Sequence, residues 1–286
     1  MSATTSRRSA APRDQAHGLR QLFAGAALRF VPLVHNPQVP GAGAVMERFC
    51  AAFAEQGLHT LVVDAADTAS PPHELATVDL PACVERLSSQ VSYLAARGLP
   101  MHYLDSRATL TGFLTALRSA APRADVVLLH ASALDLRRMF AGRTPSPVLL
   151  AGNRPDSLTH AYSSMKQLSQ RLGALAYDLV VAGDVSPRRA QRMADRLTEC
   201  ADHFLGAALR SLAVVDPQAA PSVPLPADLT RLVGLQLAGP AGPASPAGTA
   251  DTGSLSNTSH FTLSDRLAPS ARPVPARQGT ATGRLN

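Results

Sequence analysis

Two textures alternate along this chain. Short, nearly continuous apolar runs occur at 28–36 (LRFVPLVHN), 58–67 (LHTLVVDAAD) and 124–132 (ADVVLLHAS), and again at the starts of 146–172 and 177–206. Bounded by Pro, Gly or acidic residues, they read as strands buried on both faces, the habit of a parallel sheet. Between them the apolar positions recur at helical spacing. Such stretches are 45–57, the later parts of 146–172 and 177–206, and 107–122, where Leu110, Phe113, Leu114 and Leu117 share one face. The segment 79–98 reads as mostly helical, 99–105 as a short strand, and 209–217 as the last core strand. Strand and helix in alternation predict an α/β fold, a three-layer α/β sandwich with a mostly parallel sheet spanning 28–217.

The flanks have a different texture. Residues 1–12 are rich in Ser, Thr, Ala and Arg and are expected to lack order. A helix is expected over 13–26, with Asp14 as its N-cap and Ala16, Leu19, Leu22 and Phe23 at helical spacing. The whole of 1–27 is therefore expected to be a mobile N-terminal segment. From 218 to 286 Pro, Ala, Gly and Ser dominate, and most of this tail is expected to be disordered. One short amphipathic helix stands out in it at 228–238, carrying Leu229, Leu232, Val233, Leu235 and Leu237. Core packing, partner contact and weak membrane association are all open to that helix; Arg231 is its one basic residue, against the basic face usual in interfacial helices.

Composition narrows the classes. No run of eighteen apolar residues occurs, and the N-terminus has no apolar h-region, so a cytoplasmic protein is expected. Cys50, Cys83 and Cys200 are isolated and the histidines show no HxxxH or HExxH spacing, so no metal site is expected. No GxSxG is present, which removes the hydrolase elbow. The net charge of +6 favours acidic partners or anionic lipid, but its residues are scattered and nucleic acid is not the expected ligand.

The chemistry-bearing stretch is 28–67. A strand, a Pro/Gly loop (PQVPGAGA, 37–44), a helix and a second strand ending in acid is how a phosphate-cradling unit opens. A working loop also needs a Lys for the β/γ-phosphates and a Ser/Thr hydroxyl for Mg²⁺. The segment 37–44 has neither, and the single lysine of the chain is Lys166. The unit resembles the opening of the MinD/ParA-like deviant P-loop ATPases, whose loop reads roughly KGGVGKT and whose second strand ends in DAD. Set against that pattern, GKT falls on Gly41-Ala42-Gly43 and the earlier signature lysine on Pro37, next to Asn36. Asp64 and Asp67 keep the acidic tail, where they can hold a cation or cap the turn. His130 stands where the family's 124–132 strand ends in acid. An imidazole there cannot do an acid's work on Mg²⁺; it is either a tolerated substitution or a switch or ligand in its own right. Ala182-Gly183 replaces a base-contacting Asn, while 155–171 and 177–206 follow the family pattern closely.

Ahead of the first strand, Asp14-Gln15-Ala16 with Leu19-Arg20 is similar to the DQAxxLR motif of the FlhG/FleN branch. The resemblance implies a regulator of flagellar number, placement and assembly, while the departures from the family's loop imply a degenerate ATP site and no nucleotide cofactor. Its N-terminal helix would bind and activate an SRP-type GTPase, FlhF. Gln15 would orient the attacking water, Asp14 cap the helix, Leu19 dock it and Arg20 make a charged contact. The same resemblance implies further contacts with a flagellar transcription activator or C-ring component, and a place at the cell pole or inner membrane. The competing expectations are an active ATPase with an unconventional loop cycling on membrane, and an accessory protein of another polar or secretion machine.

Overall fold

The computed structural model describes residues 28–238. The expected helix at 13–26, with Asp14, Gln15, Ala16, Leu19 and Arg20, and the tail from 239 onward lie outside the described residues. Eight strands form one sheet: β1 (Arg29–Val34), β2 (Thr60–Asp64), β3 (Glu85–Arg86), β4 (Val91–Ala95), β5 (Val126–Ala131), β6 (Val148–Gly152), β7 (Ala176–Ala182) and β8 (Ala208–Val215). Their order is β3-β4-β2-β5-β1-β6-β7-β8, and every pairing is parallel except β3 with β4. The expected α/β sandwich with a mostly parallel sheet is the fold observed.

Two apolar layers flank the sheet. On one side lie α1 (Ala42–Glu55) and α6 (Ala227–Ala238), which bury Val45, Phe49 and Phe53, and Leu229, Leu232 and Val233. On the other lie α2 (Thr111–Ala120), α3 (Ala133–Met139), α4 (Pro155–Leu172) and α5 (Pro187–Leu205). The central strands β5 and β6 are buried at every position, as their unbroken apolar runs require. The apolar face of α6 is thus spent inside the α/β body. A buried carboxylate fixes the same helix: Asp178 on β7 pairs with Arg210, accepts from Ser211 Oγ at 2.8 Å and from Gln236 Nε2 of α6 at 2.6 Å. Only such full pairing makes a buried charge tolerable.

Two expected elements are corrected. Segment 79–98 is not a helix but a 3₁₀ turn (Pro81–Cys83) and the β3–β4 hairpin. The cause is local: Ser88 Oγ accepts the N–H groups of Gln90 and Val91 at 3.2 and 3.1 Å, offering the backbone a turn in place of a helix. Val91 to Leu94 then have the β-branched and aromatic content that suits pairing with β2. Segment 99–105 is not a strand but a 3₁₀ turn (Leu99–Tyr103), because Gly98 enters it at φ +74° and Pro100 has no N–H for a ladder. The sequence pattern also leaves 133–145 unassigned, whereas the structure has α3 there. Ser132 caps it, accepting from Asp135 N at 3.1 Å while its hydroxyl donates to Asp135 Oδ2 at 2.9 Å.

Candidate functional site

The helix that follows β1 covers one face of the sheet, while those that follow β5 and β6 cover the other. The carboxyl end of β1 is therefore a topological switch point, where open parallel sheets leave a crevice for ligands. In this chain the crevice is occupied by the protein's own side chains.

On the β6 side Asn36 is the filler. It is 1% exposed, and its Nδ2 donates to the Leu150 carbonyl at 2.7 Å, to the Ser157 carbonyl at 2.9 Å and to Ser157 Oγ at 3.2 Å. Ser157 Oγ in turn accepts Gly152 N–H at 2.6 Å, so the β1 loop, the end of β6 and the first turn of α4 are one network. The first half of the loop's backbone is also committed, while the N–H groups of 41–44 that open α1 meet no acceptor among the described residues. Gln38 N–H goes to Asn36 Oδ1 at 3.0 Å and Val39 N–H to the Asn36 carbonyl at 3.0 Å, while Pro37 and Pro40 have no N–H. Four successive positions thus offer no free donor, whereas a phosphate cradle is made of free backbone N–H groups.

Of the candidate loop residues, Pro37 is exposed, Gly41 caps α1, and Ala42 and Gly43 open it. Gly41 has a packing reason to be glycine. Its φ is +81°, and a Cβ there would stand 2.9 Å from Pro217 Cβ. A Cβ on Gly43 would meet nothing within 4 Å.

On the β5 side the register places Asp64 directly beside His130, and His130 beside Leu33. His130 Nδ1 lies 2.8 Å from Asp64 Oδ1, and its Nε2 lies 3.3 Å from Nδ1 of His35. Asp64 can only accept as a carboxylate, so the proton sits on His130 Nδ1. In the Nδ1–H tautomer of His130, its Nε2 accepts from His35 Nδ1–H. His35 Nε2 keeps its lone pair, with no partner among the described residues. Burial first, then the neighbouring His130, hold the His35 pKa below the usual histidine range, while Asp67 and Asp64 pull it the other way. Asp64 also accepts Ala66 N–H at 3.3 Å, capping its turn, whereas Asp67 is exposed.

The structure therefore brings Asn36, Asp64 and His130 to one crevice and leaves Pro37, Asp67, Ala42 and Gly43 at its margins. His35 and Ser157 belong to it and were missed in the sequence. A signal for His35 exists: LVHN and LLHA are two apolar strands that each end in histidine, and adjacent parallel strands place such ends together. Asp64, His130 and His35 are linked in series, and among the described residues no three acidic, His or Cys side chains are arranged to hold a metal ion. None of the described helices is long and apolar enough to cross a membrane.

No protein-family model matches this chain, and no curated protein does. Solved structures do. The MinD cell division protein of Aquifex aeolicus superposes with a TM-score of 0.51 at 10% identity, over 77% of this chain and 100% of that one. A plasmid partition protein from Borrelia burgdorferi B31, bound to AMPPNP, gives 0.51 at 9% identity, over 73% and 98%. The fold is that of the MinD/ParA-type P-loop ATPases. At such identities the likeness is one of fold alone.

Proposed function

We propose that this chain is a degenerate MinD-like regulator that turns over no ATP of its own, and that it binds and activates an SRP-type GTPase of the FlhF kind through Asp14–Arg20. In this reading it acts on flagellar number, placement and assembly, from the cytoplasm or the cell pole. Contacts with a transcription activator or C-ring component and weak membrane association are secondary. The observation that carries the reading is the filled crevice. At the carboxyl end of β1, Asn36 and the His35–His130–Asp64 chain are tied up in the protein's own hydrogen bonds, and loop positions 37–40 have no donor to give, which supports the reading. A chain with this loop and an intact DQAxxLR pattern is explained most simply by action in trans.

The decisive experiment adds a peptide of residues 1–27, and separately the full chain, to the cognate GTPase. Both should raise GTP hydrolysis by about tenfold or more, less than a transition-state arginine achieves, because a glutamine only positions water. Gln15→Ala should lose most of the stimulation while binding stays, and Leu19→Asp should lose binding by placing a charge in the docking face. Equal stimulation by wild-type and Gln15→Ala peptides removes Gln15 from the mechanism. Absence of binding by both peptide and full chain sinks the reading, and micromolar ATP affinity by calorimetry reopens catalysis.

A further inference from the structure

On the opposite side of the sheet from α1, a groove of about 560 Å³ runs between α4 and α5. Its floor is apolar: Leu158 and Tyr162 from α4, Met193 and Leu197 from α5. Leu158, Tyr162 and Met193 are only partly buried, so the helices leave apolar surface between them in contact with water. Its rim is cationic, with Arg154 at the start of α4 and Arg189, Arg192 and Arg196 along α5. The last three lie on one helical face, at steps of three, four and seven residues.

Charge decides what this groove fits. Arg154 has an exposed partner in Asp156 at 3.6 Å, and Arg189 donates only to the Asn153 carbonyl at 3.1 Å. Arg192 and Arg196 have no acidic partner among the described residues. The nearby Asp195 accepts from Gln191 at 2.8 Å instead. Unpaired guanidiniums beside half-exposed leucine, tyrosine and methionine are complementary to one kind of surface: apolar along its centre and acidic along its edge.

We infer that the α4–α5 groove is a docking site for an acidic amphipathic helix of a partner protein. A helix laid in such a groove buries its apolar stripe on the floor and forms carboxylate–guanidinium forks along the rim. From Arg189 to Cys200 the groove follows α5 for about 16 Å, which matches about three turns of a docked helix. Nucleic acid fits less well, because a phosphate backbone would use the arginines and leave the apolar floor unmatched. The inference uses none of Asp14–Arg20 and stands apart from the GTPase reading.

The test uses the full chain and a defined probe. This is a fluorescein-labelled peptide of about 14 residues with leucines at i, i+3, i+7 and i+10 and glutamates flanking them. Its controls are a scrambled peptide of the same composition and a lysine-for-glutamate version. The patterned acidic peptide should bind saturably, and both controls should bind at least about tenfold more weakly. Arg192→Glu/Arg196→Glu should weaken binding by about tenfold or more without moving the thermal midpoint. Arg192→Gln/Arg196→Gln serves if the charge reversal folds poorly. Met193→Glu should weaken binding through the floor. Equal binding of the scrambled peptide, indifference to the arginine substitutions, or no saturation at about 1 mM overturns the inference. So does displacement by a random-sequence DNA duplex that binds at least as tightly as the peptide.

Discussion

The crevice at the end of β1 and the groove between α4 and α5 use polar residues in opposite ways. In the crevice Asn36, His35, His130 and Ser157 turn inward and hydrogen-bond to one another or to buried backbone, with His35 Nε2 left open. In the groove Arg192 and Arg196 turn outward over an apolar floor and have no acidic partner among the described residues. A buried polar group left unmatched costs more than a matched one gains, so such a network resists substitution. An exposed guanidinium carries little such penalty and is free to meet a partner. The contrast teaches where to look for activity in this molecule: away from the place where the fold ordinarily holds its ligand.

The comparison breaks most readily at Asn36. Asn36→Ala removes donors from the Leu150 and Ser157 carbonyls and opens a void, so it should cost about 3 kcal/mol in urea unfolding. A loss under about 0.5 kcal/mol, the size of an ordinary surface change, would mean that the crevice is not sealed by this side chain. At Gly41 the expected effect is smaller. Gly41→Ala places a Cβ at φ +81°, 2.9 Å from Pro217 Cβ, and should cost about 2 kcal/mol. Gly43→Ala in the same helix start meets nothing and should be neutral or stabilising.

The smallest effect is a dependence on pH. The folded-state pKa of His35 lies below its unfolded value of about 6.5, so the unfolded chain binds more protons in that window. The stability contributed by neutral His35 is fully present above about pH 6.5 and is lost as pH falls below it, at no more than about 1.4 kcal/mol per pH unit. Urea midpoints from pH 7.5 to about pH 5 should therefore slope downward on acidification, and His35→Gln should flatten part of that slope. An identical slope in the variant would assign the acid limb to other groups.

The crevice was half legible before the structure. The pattern placed the loop, the Asp64 turn and the histidine at 130, because apolar strands ending in polar residues mark the carboxyl edge of a parallel sheet. It did not give the partners of those residues. Asn36 reaches Ser157 across 121 positions and His35 reaches His130 across 95, and only strand order brings such distant positions together. The groove was less legible still. Arg189, Arg192 and Arg196 can be read at helical spacing, but the floor they rim is built half from α4.

What the sequence determined alone is what depends on near neighbours in the chain: the buried strands, the amphipathic helices, and the lack of lysine or hydroxyl in the segment 37–44. The competition at 79–98 was local too, but its outcome was not. Ser88 can close a turn or sit in a helix, and β4 exists because β2 offers an edge to pair with. Tertiary structure likewise decided the fate of 227–238. Its apolar stripe suits a membrane or a core equally well as a pattern. Burial of Leu229, Leu232 and Val233 against the sheet, with Gln236 held by Asp178, chose the core, because that is where both the apolar face and the buried carboxylate are satisfied together.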